Sequence, residues 1–171
     1  MLSLEGRRFW ILSTLPVRRD SILWGKFLFA VAGSVLPSCL LILLSDYMLQ
    51  VSLLVVAIHQ LTCLLLCVGL SGIAVGLGAK MPDLREESPS KIAAGFGGTL
   101  SLVISAIYIV VIVLLTALPS HFYLAVQQAD GPTAAVGAWL MAGILAACAT
   151  GAVATFVPMR IGLKAFRTLE F

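Results

Sequence analysis

The stretch LSLVISAIYIVVIVLLTAL, Leu100 to Leu118, runs for 19 residues without a charge. A helix needs about 20 apolar residues to cross the hydrocarbon of a bilayer, and this run meets that length almost alone. A strand could cross only within a closed barrel, which would show polarity alternating with a period of two. IYIVVIVLL shows no such alternation, so the segment is a membrane-spanning helix.

Working outward, three further charge-free runs reach the same length: Phe27 to Ser45, Val51 to Ala79, and a fourth within Thr133 to Met159. The mean hydropathy of +1.07 and the 60% hydrophobic content exceed what a wetted surface allows. The sequence therefore predicts an all-α integral membrane protein with four transmembrane helices, at about residues 24–45, 51–79, 96–118 and 134–158. A short interfacial helix and turn precede them in residues 1–22, the transmembrane domain occupies 23–159, and a tail follows at 160–171.

Four spans put residues 1–26, 80–94 and 159–171 on one side, and that side collects all 11 Lys and Arg residues. By the positive-inside rule both termini are expected to be cytoplasmic, and the chain is expected to be multi-pass in the cytoplasmic (plasma) membrane, the cell inner membrane. The opposite side holds Asp46, His121 and Asp130. Its longer loop, PSHFYLAVQQADGP, is expected to form an interfacial or re-entrant helix that stops at the Asp-Gly-Pro turn.

The chemistry-bearing motifs are few. There is no G-x-x-x-x-G-K-[ST] phosphate loop, so ATP is not bound by that route, and no H-E-x-x-H, C-x-x-C or G-x-S-x-G pattern. No catalytic residue and no metal site are nominated. Cys39, Cys63, Cys67 and Cys148 all fall within apolar runs and read as packing residues without a disulfide. The basic excess of +3 is explained by topology, and nucleic acid is not an expected partner.

His59, beside Gln60 and Thr62 in the second span, is a titratable group in a membrane and hence a functional suspect. With no acid or base expected inside the four spans, no proton relay forms around it, and an imidazole hydrogen-bonded to a neighbouring helix is the expectation. In GLSGIAVGLGAK, Gly72 and Gly76 form a small-xxx-small pair suited to close helix packing.

The segment EGRRFWILSTLPVRRDSILWGK, Glu5 to Lys26, is richer than topology requires. A short helix can end before Pro16, followed by a turn through Val17, Arg18 and Arg19 to Asp20 as N-cap of the first span. The ordered series of Glu5 and Gly6, an apolar helix with Leu12, then Pro16, Arg18 and Arg19, and finally Gly25 and Lys26, resembles the cytoplasmic coupling segment of ABC-2 type transporter permeases. The middle loop, GAKMPDLREESPSKIAAGFGGTLSLV, is also similar to exporter permeases of this group.

What the resemblance implies is a membrane subunit of an ATP-driven ABC exporter. Its coupling residues would be Glu5, Gly6, Arg7, Arg8, Phe9, Trp10, Leu12, Pro16, Arg18, Arg19, Gly25 and Lys26. The charged members would pair with a separate ABC ATPase subunit, and Phe9, Trp10 and Leu12 would fill its cleft. ATP and Mg would sit on that subunit and no cofactor on this chain, which is expected to dimerise or to join a partner permease chain in the lipid bilayer. Family members usually have six spans with the coupling segment between the second and third, so four spans after it correspond to the third through sixth. The sequence leaves two alternatives: a non-transporting four-helix scaffold or regulatory protein, and more weakly a lipid-directed enzyme using His59 or His121.

Overall fold

A computed structural model describes residues 19–80, 95–129 and 133–168. It contains four long helices: α1 (Arg19–Leu49), α2 (Leu53–Lys80), α3 (Phe96–Gln128) and α4 (Thr133–Thr168). Among the described residues there is no strand. Each helix is long and apolar enough to cross a membrane. At about 1.5 Å per residue they measure roughly 42–54 Å, well beyond the hydrocarbon thickness of about 30 Å, so each has room to tilt or to project from it.

The surface of the bundle is its most apolar part. Phe29, Leu41, Met48, Leu53, Leu102 and Leu145 all face outward, as lipid contact demands. The buried face of α2 is rich in small groups, among them Gly69, Ser71, Gly72, Gly76 and Ala79. Without a hydrophobic driving force between helices in lipid, association rests on close backbone approach and on polar contacts, and small residues permit both.

The α2–α4 contact is the most extensive in the bundle. A Cβ built on Gly72 would lie 2.8 Å from Thr155 Cα, and one on Gly162 would lie 2.6 Å from the Gly76 carbonyl oxygen. A Cβ on Gly76 would collide with the Pro158 carbonyl group. Leu23 and Phe27 of α1 close over this region with Val75, Ala79 and Met159, forming one core cluster near Lys26, Lys80 and Arg160. A second cluster joins Ile73, Tyr108, Ile112 and Ala147 across α2, α3 and α4. There the Tyr108 hydroxyl donates to the Leu65 carbonyl at 2.6 Å, so the buried phenol is satisfied by the backbone of its neighbour.

Two expectations about helix boundaries are corrected. The segment 118–133 was expected to leave the third span as a separate interfacial helix, yet α3 continues unbroken through Pro119 to Gln128. Proline lacks an N–H and cannot bond the carbonyl four residues earlier, here Leu115, but it does not force a stop when the freed group is accommodated. Gly143 of α4 is seated against that carbonyl: a Cβ there would come 2.6 Å from Leu115 O and 2.7 Å from Pro119 Cγ. At the other boundary α1 already begins at Arg19, so Asp20 lies in its first turn and is not the cap.

The α1–α2 connection is a tight reversal. Gln50 has φ 53°, its N–H bonds Tyr47 O at 3.3 Å, and the Val51 N–H bonds Asp46 O at 3.4 Å. This is the Schellman pattern, with a glutamine at the left-handed position where glycine is usual. A side chain there costs about 1 kcal/mol. Gln50→Gly is therefore expected to stabilise the hairpin by several tenths of a kcal/mol up to about 1, visible as a higher midpoint of unfolding in mixed micelles. A lower midpoint would show that the Gln50 Nε2 bond to Tyr47 O outweighs the strain.

Candidate functional site

The Schellman turn fixes where Asp46 lies. Because α1 runs to Leu49, Asp46 is within the helix, one turn from its end, and not in the external loop where the sequence places it. The short reversal brings α2 back alongside, and Asp46 Oδ1 meets His59 Nδ1 at 2.8 Å. The expectation that no acid accompanies the histidines is thereby overturned: the hydrogen bond anticipated for His59 is to a carboxylate. A charge count along each apolar run missed this, since Asp46 stands just beyond the run. Its signal was the brevity of the connection, which returns the chain on itself within a few residues.

Burial is uneven across the pair. The Asp46 side chain is 5% exposed and that of His59 48%. Where the carboxylate is ionised it only accepts, and the imidazole Nδ1–H is then the donor of this contact. Asp46 Oδ1 is thus satisfied, while Oδ2 is buried and has no hydrogen-bond partner. Nearby, Gln60 Nε2 donates to the Cys39 carbonyl at 3.2 Å, a second polar clasp between α1 and α2.

Asp46 and His59 form part of the wall of a cavity of about 650 Å³ bounded by α1, α2 and α3. Ser38, Ser45, Thr62, Cys63, Cys67, Thr116 and Ser120 contribute the other polar and sulfur groups. Cys39 and Cys63 approach to 3.8 Å between sulfurs, and both are free thiols. His59 also borders an adjacent cavity of about 420 Å³ that includes His121. Past it, Phe122 of α3 meets Trp139 of α4 with ring centroids 5.6 Å apart and planes tilted by 53°.

The other end carries the basic residues Lys26, Lys80, Arg160 and Lys164. Of the expected coupling set, Glu5, Gly6, Arg7, Arg8, Phe9, Trp10, Leu12, Pro16 and Arg18 lie outside the described residues, and Arg19 opens α1. Gly25 has open space where a side chain would be, and Trp24 meets Phe27 edge-on at 5.6 Å.

A family model described as "Putative ATP-binding cassette" matches residues 1–171. The chain belongs to this family. Comparisons with curated proteins and with solved structures gave no match. The family description implies a nucleotide, and the described residues do not fit one. They form apolar helices, and the 650 Å³ cavity presents a carboxylate with one oxygen unpartnered and no Lys or Arg in its wall that could pair with a triphosphate.

Proposed function

We propose that this chain is the membrane-spanning permease subunit, or part of one, of an ABC exporter, and that it couples a separate ATPase to movement of a substrate. The observation that carries the proposal is the combination of a whole-chain match to an ATP-binding-cassette family with a fold of four apolar helices. Such a chain belongs with the cassette's machinery, while its own composition suits the bilayer. By the positive-inside rule the end with Lys26, Lys80, Arg160 and Lys164 faces the cytoplasm, as do both termini. The ATPase, with its ATP and Mg, would dock there on residues 5–26.

In this mechanism ATP-driven closure of the ATPase pair pulls on the segment leading into α1. Because α1 packs mainly on α2 and only slightly on α4, it can transmit a tilt without dismantling the α2–α4 core. Arginine and aromatic anchors at such an interface would carry most of the binding energy.

The test is co-purification with the candidate ATPase. The double variant Arg18→Glu/Arg19→Glu is expected to lower ATPase recruitment at least tenfold while the chain still inserts with unchanged topology, as read by accessibility labelling at both ends. Full recruitment by the charge-reversed chain would remove the coupling assignment. A parent chain that recruits no ATPase would favour a scaffold instead.

A further inference from the structure

We infer that the cavity beside Asp46 is a binding site for an organic ammonium group carried on an apolar body. The unmet hydrogen-bonding capacity of the carboxylate sets the chemistry of the ligand. Asp46 Oδ2 is buried and lacks a donor, and its side chain forms part of the cavity wall. Of the five hydroxyl groups in the wall, three have committed their protons to backbone carbonyls, and those of Ser38 and Ser45 have not. Thr62 donates to Ile58 O at 2.7 Å, Thr116 to Ile112 O at 2.9 Å, and Ser120 to Ala117 O at 3.0 Å.

Each of these oxygens keeps lone pairs but has no proton left to offer. The wall thus offers lone pairs at these three hydroxyl groups and a carboxylate oxygen with no donor. A carboxylate or phosphate ligand would bring further acceptors and no donor to Asp46 Oδ2. A neutral hydrocarbon would leave Oδ2 without a partner. An ammonium supplies up to three N–H donors and the opposite charge in one group, as lysine does.

Among the described residues, no Lys or Arg is in the cavity wall. Lys26 is on the same helix as Asp46 but 20 residues away, about 30 Å along the axis. The remaining wall, including Ile42, Leu66 and Val113, is apolar, so the rest of the ligand is hydrophobic. At about 650 Å³ the cavity lies within the usual range of about 300–1,000 Å³ for sites that enclose a small organic molecule. Binding stands on the cavity alone. Only the corollary, that such an amine is cargo, rests on the exporter reading above.

The experiment uses the whole chain in lipid nanodiscs with dansylcadaverine, a primary amine whose fluorescence reports an apolar surrounding, and its N-acetyl derivative, which lacks the charge. Protein-free nanodiscs give the background from partition into lipid. The expected result is saturable binding of the amine, at least tenfold tighter than that of the acetylated probe. Asp46→Asn should abolish this preference while leaving helicity intact. Should Asp46→Asn fail to insert, the comparison of the two probes on the parent chain decides the matter. Equal binding of both, no saturable binding, or a preference that survives Asp46→Asn would overturn the assignment. Binding that fails while ATPase recruitment persists would refute this site alone and leave the exporter reading standing. Saturable amine binding without ATPase recruitment would do the reverse.

Discussion

Gly76→Ala will destabilise the bundle by about 3 kcal/mol, near the top of the range for overpacked interiors, although alanine is the better helix former by about 1 kcal/mol. The reason is what the new methyl group would strike. It would overlap the Pro158 carbonyl carbon and oxygen and lie 2.8 Å from Met159 N, all of them backbone atoms that cannot swing aside. Gly33 of α1 provides the control, with open space at the same position. Gly33→Ala should be neutral or stabilising by up to about 1 kcal/mol, since only helix propensity changes. Unfolding by SDS titration in mixed micelles, followed by far-UV circular dichroism, should move the two variants in opposite directions. Equal midpoints would mean that α2 and α4 do not approach as closely as the structure shows.

The consequence extends beyond one glycine. Pro158 frees the Ala154 carbonyl and Pro119 frees the Leu115 carbonyl, because neither proline can donate to the residue four before it. Each freed carbonyl faces a glycine on the adjacent helix. A Cβ on Gly72 would lie 3.3 Å from Ala154 O, and one on Gly143 would lie 2.6 Å from Leu115 O. Proline-containing helices tend to kink, and a glycine opposite the break lets the neighbouring backbone follow it without a gap. α4 thus carries both an irregularity of its own, at Pro158, and the means of packing against that of α3, at Gly143.

Much of this architecture is legible in the sequence, because span length is a one-dimensional quantity. Charge-free runs of about 20 residues mark four membrane helices whatever their packing. Where α3 ends is a different kind of question. Pro119 and the mixed polarity of residues 118–133 argue for a break, but the outcome depends on Gly143, 24 residues away in sequence, seated against the Leu115 carbonyl. The Asp46–His59 pair was hidden for a similar reason. Each residue taken alone reads as a loop acid and a lone imidazole, and only the left-handed turn at Gln50 makes them neighbours. The cavity they border combines side chains from three helices, and helical periodicity does not encode how those helices are rotated against one another.

His59→Leu is expected to destabilise the chain by about 2 kcal/mol, within the penalty of about 1–3 for leaving a buried acceptor unpaired. Asp46→Leu should cost less than about 1 kcal/mol. The asymmetry follows from exposure: Asp46 is almost wholly buried, so loss of His59 leaves both carboxylate oxygens without a donor or water. His59 is half-exposed, and when Asp46 is removed its Nδ1–H can turn to water or lipid head groups. The double variant Asp46→Leu/His59→Leu should then recover most of the stability lost in His59→Leu, because replacing both members of a buried polar pair by apolar groups is often close to neutral. A double-mutant cycle measured by the same micelle unfolding gives the coupling directly, expected at about 1–2 kcal/mol. If the two single variants instead lost equal stability and their effects simply added, the 2.8 Å contact would not be coupling α1 to α2. A large loss in Asp46→Leu alone would mean that the carboxylate is held by more than the imidazole, and that its second oxygen is occupied in the membrane.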